Sequence, residues 1–268
     1  MPEVVVEGSN VGTSPIARDL HVAVNRVGKT YRRNGDAVEA IRTISFDIDR
    51  GGFLSIVGPS GCGKSTLLMM IAGLSPVTAG SIAIDGAPVD GPRRDTSLVF
   101  QSPVLFPWRT VLSNVMFPIE VFKRDQQRYR KEAVNLLEMT GLHEFKDRLP
   151  EQLSGGMAQR VSLCRALITN PSLLLMDEPF SALDALTRDD MSLELQRIWN
   201  RFRKTVLFVT HSIREAVFLS DRVLVLSPRP AVVVHDLAIE LPRPRSLDMQ
   251  ESPEFNHYCG IVRASLGR

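Results

Sequence analysis

Short apolar runs dominate the first third of the chain. Residues 21–27, 40–48, 53–57, 81–84 and 97–100 have strand-like composition, and turn signals such as Arg50-Gly51-Gly52 and Asp85-Gly86 separate them. The period then changes. Residues 124–140 carry Ala133, Leu136 and Leu137 among many charges, and residues 157–168 repeat apolar positions at helical spacing. An inserted helical lobe over about residues 106–169 is predicted. Beyond it, apolar runs at 172–176, 205–209 and 222–226 alternate with helical segments at 186–203 and 213–219. Such alternation predicts a parallel sheet with helices on both faces.

The ends differ from this body. Residues 1–19 mix Gly, Ser, Asn, Thr and Pro without periodicity and predict a flexible N-terminal tail. Leu241-Pro242-Arg243-Pro244-Arg245 marks an expected exit from the compact domain, leaving 20–240 as that domain and 241–268 as a C-terminal extension. With 268 residues and 44% apolar content, one large core is within reach.

Charge adds little. The 32 basic and 30 acidic residues leave a net +2, so no global field draws the chain onto nucleic acid or a bilayer. No apolar run approaches the roughly 20 residues that span a membrane, and Met1-Pro2-Glu3-Val4 does not open a signal peptide. A soluble, cytoplasmic chain is expected. Cys62, Cys164 and Cys259 are widely spaced and match no metal-ligand pattern, which predicts reduced thiols.

Chemistry enters with Gly58-Pro59-Ser60-Gly61-Cys62-Gly63-Lys64-Ser65, which fits Gly-x-x-x-x-Gly-Lys-Ser. The apolar run at 53–57 precedes it and a helical run begins at Thr66, the strand, loop, helix order that a phosphate loop needs. Glycines let backbone N–H groups reach phosphate oxygens, and the positive helix end favours an anion. Lys64 would reach the β- and γ-phosphates, and the Ser65 hydroxyl suits Mg²⁺. ATP with Mg²⁺ is the expected ligand pair. Because Cys62 lies inside the loop, its alkylation is expected to block the site.

Two further pieces fit this picture. The apolar run 173–176 ends in Asp177-Glu178, and in doubly wound sheets ligands sit beyond the carboxyl ends of the strands. Asp177 would support the Mg²⁺ shell and Glu178 would polarise the attacking water, although a helix cap before Pro179 is the other reading of the pair. His211 follows the strand at 205–209, from which an imidazole could reach the γ-phosphate or the water. Ser154, Gly155 and Gly156 precede a helix near Met157 and form a second helix N-terminus able to bind an anion.

In order, the glycine loop, Gln101, Leu153-Ser154-Gly155-Gly156-Met157-Ala158-Gln159-Arg160, Asp177-Glu178, Ser181-Ala182-Leu183-Asp184 and His211 resemble an ABC-transporter ATPase over roughly residues 20–230. The resemblance implies an α/β P-loop NTPase fold: a RecA-like parallel sheet core, an antiparallel β subdomain and an inserted α-helical lobe. It implies that Gly58 through Thr66 hold the nucleotide and that Tyr31 stacks on adenine. Gln101 is similar to the lid residue that senses Mg²⁺ and water, and Asp184 to the dimer-contact loop. Ser154, Gly155 and Gly156 would serve the ATP of a partner subunit in a homodimer. Met157, where the family commonly has Gln, and Ser212, where it often has Asp, depart from the pattern.

The stretch 101–111, with Phe106-Pro107-Trp108, and Ser227-Pro228-Arg229-Pro230 resemble importers of nitrate, alkanesulfonates, taurine and related small anions. That likeness implies two integral membrane permease subunits, an extracytoplasmic substrate-binding protein, no nucleic acid, and a peripheral position on the cytoplasmic face of the inner membrane. Trp108 would touch the permease or else serve as a core aromatic. A soluble ABC ATPase acting on nucleic acid or ribosomes is the alternative. A P-loop kinase would explain residues 58–65 but leave residues 154–156 and His211 unused.

Overall fold

The apolar runs become strands of one ten-stranded sheet in a computed structural model that describes residues 19–33 and 36–267. The strands are β1 (Leu20–Arg33), β2 (Asp36–Asp49), β3 (Phe53–Val57), β4 (Ala79–Ile84), β5 (Ala87–Pro88), β6 (Thr96–Val99), β7 (Leu173–Asp177), β8 (Thr205–Thr210), β9 (Arg222–Leu226) and β10 (Ala231–Ala238). Their spatial order is β5-β4-β1-β2-β10-β9-β3-β8-β7-β6. β9, β3, β8, β7 and β6 run parallel, whereas β5, β4, β1 and β2 pair antiparallel. β10 joins the halves, antiparallel to β9 and briefly parallel to β2. The expected N-terminal tail lies, apart from Asp19, outside the described residues.

Alternation explains why the parallel strands read as unbroken apolar runs. In β3, Phe53 and Val57 face one core while Leu54 and Ile56 face the other; in β8, Val206 and Phe208 oppose Leu207 and Val209. Both faces are covered, so both sets must be apolar. The first core takes helices α2 (Val111–Val121), α3 (Gln126–Met139), α4 (Gly155–Leu167), α5 (Ala185–Phe202), α6 (Ile213–Leu219) and α7 (Pro253–Ser265), and the second takes α1 (Lys64–Ile71) and the antiparallel strands. Phe208 anchors the first, with ring centroids 6.0 Å from Phe53 and 5.6 Å from Phe180. Truncating a buried ring of this kind costs about 3–5 kcal/mol.

The helical lobe comprises α2, α3 and α4. α2 escapes the sequence reading because Pro118 stands inside it; its start is marked by Thr110, whose Oγ1 accepts from Ser113 N at 3.3 Å. α7 escapes for a different reason. Residues 241–245 do not leave the domain: Arg245 is 2% exposed and donates to the carbonyls of Val217, Phe218 and Ser220 at 2.7, 3.0 and 2.8 Å. These carbonyls end α6, which lacks continuing N–H donors, so the guanidinium acts as its cap. Phe255 and Val262 of α7 then bury fully in the first core.

Candidate active site

The loop from Gly58 to Gly63 connects β3 to α1 and curls over the carboxyl end of the parallel strands. Gly63 has φ +116, and a Cβ there would meet Ile41 Cγ1 at 3.1 Å and the Ala40 carbonyl oxygen at 3.3 Å. Only glycine fits such backbone without strain. Lys64 opens α1 and is 4% exposed, with Nζ donating to the carbonyls of Gly58 and Pro59 at 3.0 Å each. An ammonium has three donors, so one remains for an anion above the loop. The Cys62 amide donates to Pro59 O at 3.3 Å.

Cys62 does not present its thiol to this surface. It is 1% exposed and packs in the second core, where burial pushes the thiol pKa up against the pull of Lys64. Buried and with its thiol pKa raised, Cys62 is a slow target for alkylation, although a group forced onto it would still distort the loop.

The end of β7 delivers both acidic groups. Ser65 Oγ donates to Asp177 Oδ1 at 2.9 Å. Burial raises the Asp177 carboxyl pKa, which the Ser65 bond opposes and the Glu178 charge reinforces. Glu178 lies just past β7 with φ +45, uncommon for a residue with a Cβ. Glu178 N donates to Val209 O at 2.8 Å and Ser181 Oγ to Glu178 O at 2.9 Å, and these bonds hold the sharp turn. The turn brings Glu178 Oε1 within 3.7 Å of Lys64 Nζ and Oε2 within 2.8 Å of His211 Nδ1. Lys64, Ser65, Asp177, Glu178 and His211 thus form one cluster.

Other predicted residues lie apart. Tyr31 is 46% exposed on β1, its hydroxyl 3.3 Å from Thr66 Oγ1 and Lys29 Nζ 5.1 Å above its ring. Gln101 is exposed just past β6. Ser154 caps α4, accepting from Met157 N at 3.3 Å, and Asp184 caps α5, accepting from Thr187 N at 3.0 Å. These two caps are neighbours, since a Cβ on Gly156 would meet Thr187 Cγ2 at 2.5 Å. Arg229, which the sequence reading did not place in the site, donates to Gly61 O at 2.7 Å and braces the loop from the β9–β10 turn. Its one sequence signal was its place in Ser-Pro-Arg-Pro.

Comparison with known families now adds a decisive match, since the ABC transporter family covers residues 41–181. The chain belongs to the ABC transporter family. An uncharacterized ABC transporter ATP-binding protein of Methanocaldococcus jannaschii is 46% identical over 239 residues, covering 89% of this chain and 88% of that protein. The taurine import ATP-binding protein of Rhizobium johnstonii is 44% identical over 239 residues, covering 87% and 91%. Among solved structures, a dimeric post-hydrolysis ATP-binding cassette bound to ADP and Pi superposes with TM-score 0.70 and 32% identity, covering 82% of this chain and 100% of that one. The ABC fold therefore accounts for the parallel core, the antiparallel strands and the helical lobe together. Among the described residues, no helix is long and apolar enough to cross a membrane.

Proposed function

We propose that this chain is the ATP-binding and hydrolysing subunit of an ABC importer for a small anion of the kind represented by nitrate, alkanesulfonates and taurine. The observation that carries the proposal is the cluster joining Ser65 to Asp177 at 2.9 Å and Glu178 to His211 at 2.8 Å, with Lys64 between them. The relatives' import function favours this reading over a soluble ATPase working on nucleic acid or ribosomes.

The loop of residues 58–66, through its backbone N–H groups other than at Pro59, and Lys64 bind the phosphates, and Tyr31 offers its exposed face to the adenine. Glu178 accepts a hydrogen bond from the attacking water and orients it towards the γ-phosphorus, while His211 holds the Glu178 carboxylate in place and faces the γ-phosphate. Mg²⁺ fits the donor set: Ser65 and Asp177 are two touching oxygen donors, and no group of three or more His, Cys, Asp or Glu among the described residues could hold a metal by itself. A hard cation that shares its ligands between protein, phosphate and water suits such a pair. Bound there, with Gln101 at the lid, it would neutralise charge developing on the phosphates.

Ser154, Gly155 and Gly156 complete the site of a second copy, whose own loop receives them in a two-fold dimer with Asp184 at the contact. The lobe meets the permease. Trp108 is 74% and Val104 57% exposed, and a cavity of about 320 Å³ beside them is lined by Leu98, Phe100, Phe106, Phe117 and Pro118. An exposed apolar patch of this kind marks a contact surface. Two permease subunits hold the ATPase pair at the cytoplasmic face of the membrane, and an external binding protein delivers the anion.

Purification of the chain from detergent-solubilised membranes of its host tests the assembly. A multi-span permease retained at equal stoichiometry, and lost on Trp108→Asp, is expected. Retention of soluble partners alone would contradict it.

A further inference from the structure

Behind the Glu178–His211 contact lies a second, buried polar connection. Glu215, in the first turn of α6, is 7% exposed, and its Oε2 accepts from Thr210 Oγ1 at 2.6 Å. Thr210 Oγ1 in turn accepts from Ser212 N at 3.0 Å, and Ser212 Oγ accepts from Glu215 N at 3.3 Å. Thr210 is thus pinned to the Glu215 carboxylate, and Ser212 to the Thr210 hydroxyl and the Glu215 backbone N–H.

The other oxygen of that carboxylate faces α5. Arg188 Nε, buried and without a hydrogen bond, lies 3.4 Å from Glu215 Oε1. The same guanidinium donates through Nη2 to Leu183 O at 2.9 Å, and Arg188 N donates to Asp184 O at 3.0 Å. Arg188 is therefore fixed to the turn that carries Asp184, and Glu215 to the turn that carries His211. A cavity of about 440 Å³ flanks the pair, lined among others by Ala185, Ser192, Ser212 and Phe218. Side-chain movement is not blocked on that side.

Stability alone does not explain the pair. Taking the Glu215 carboxylate out of water costs several kcal/mol, and the Arg188 guanidinium, on a side chain still 31% exposed, offsets only part of that, so an apolar residue would serve the core as well or better. Burial indeed pushes the Glu215 carboxyl pKa up, with Thr210 and Arg188 pulling it back.

We infer that Arg188 and Glu215 are positioning residues that tie the Asp184 turn to the His211 turn, so that the partner subunit's contact at Asp184 sets the His211 ring against Glu178. The inference rests on the ATPase reading above. It predicts a loss in turnover without a loss in nucleotide binding, because neither side chain belongs to the cluster at Lys64.

The test is a neutral replacement that leaves no unpaired buried charge. Arg188→Met combined with Glu215→Gln keeps volume and keeps an acceptor for Thr210. Against the parent, the full-length double variant should melt within about 4 °C and bind ATP within about twofold, yet turn over ATP ~10- to 100-fold more slowly. Arg188→Met alone should lose stability as well as turnover, since it strands the buried Glu215 charge, whereas Glu215→Gln alone leaves a partly exposed guanidinium and should lose turnover with a smaller loss of stability. In a His211→Ala background, neutralising the pair should change residual turnover no further. If turnover in the double variant recovers along with its melting temperature, the pair is only structural and the inference fails. A further equal loss in the His211→Ala background would also overturn it. A parent chain that turns over no ATP would overturn the ATPase reading itself, whereas a parent and double variant of equal activity would overturn this inference alone.

Discussion

Two helix N-termini in this molecule offer backbone amides to an anion, and they are furnished very differently. The start of α1 carries Lys64 and Ser65, which reach Glu178 and Asp177 in turn, and Glu178 reaches His211. The start of α4 has Ser154, whose Oγ is taken by Met157 N, and two glycines packed against α5 beside Leu183 and Thr187. One end carries a lysine, carboxylates and an imidazole; the other carries amides and a hydroxyl. An element that can bind phosphate but can do nothing to it makes chemical sense as half of a site completed by another copy.

Glu178→Gln strikes the furnished end hardest. Turnover should fall ~10²- to 10⁴-fold while ATP affinity stays near the parent value, because shape survives and the water loses its carboxylate. Steady-state phosphate release alongside equilibrium nucleotide binding decides it, and near-normal turnover would remove Glu178 from the mechanism. Ser154→Arg strikes the bare end. ATP binding to the isolated chain should hold within about twofold, but turnover should drop ~100-fold as the second set of donors is lost. Equal loss of binding would mean that both termini serve one chain's nucleotide.

Smaller changes sharpen the contrast. Tyr31→Leu should weaken ATP binding about tenfold, in line with ~1–3 kcal/mol for aromatic stacking on a base; fluorescence titration with ATP and with inorganic triphosphate should show the loss for ATP alone. Cys62, turned into the core, should react with a maleimide much more slowly than an exposed thiol, with or without ATP. Rapid modification suppressed by ATP would place the thiol on the binding face instead.

The furnished end was legible in the sequence because its parts are local. A strand, a glycine loop and a helix follow one another, and Asp177-Glu178 ends an apolar run. What remained hidden depends on long-range packing. The fold of residues 241–265 onto α6 hangs on Arg245 reaching three carbonyls 25 to 28 positions away, which no local pattern announces. Arg229 reaches Gly61 across 168 positions. The burial of Cys62 was equally illegible: a loop residue with polar neighbours in sequence points into a core made by β2, β3 and α1. α2 was not singled out because a proline inside a segment argues against a helix, although its buried Val111, Leu112, Val115, Met116 and Ile119 keep helical spacing around Pro118.

The central claim is that the bare terminus of one copy completes the furnished terminus of another, and mixing two inactive variants tests it most directly. Ser154→Arg chains keep an intact loop at residues 58–66, and Lys64→Ala chains keep an intact Ser154. Combined in equal amounts, they should form mixed dimers with one whole site and regain a substantial fraction of the parent's ATP turnover. Activity no greater than the sum of the two variants alone would contradict the composite site.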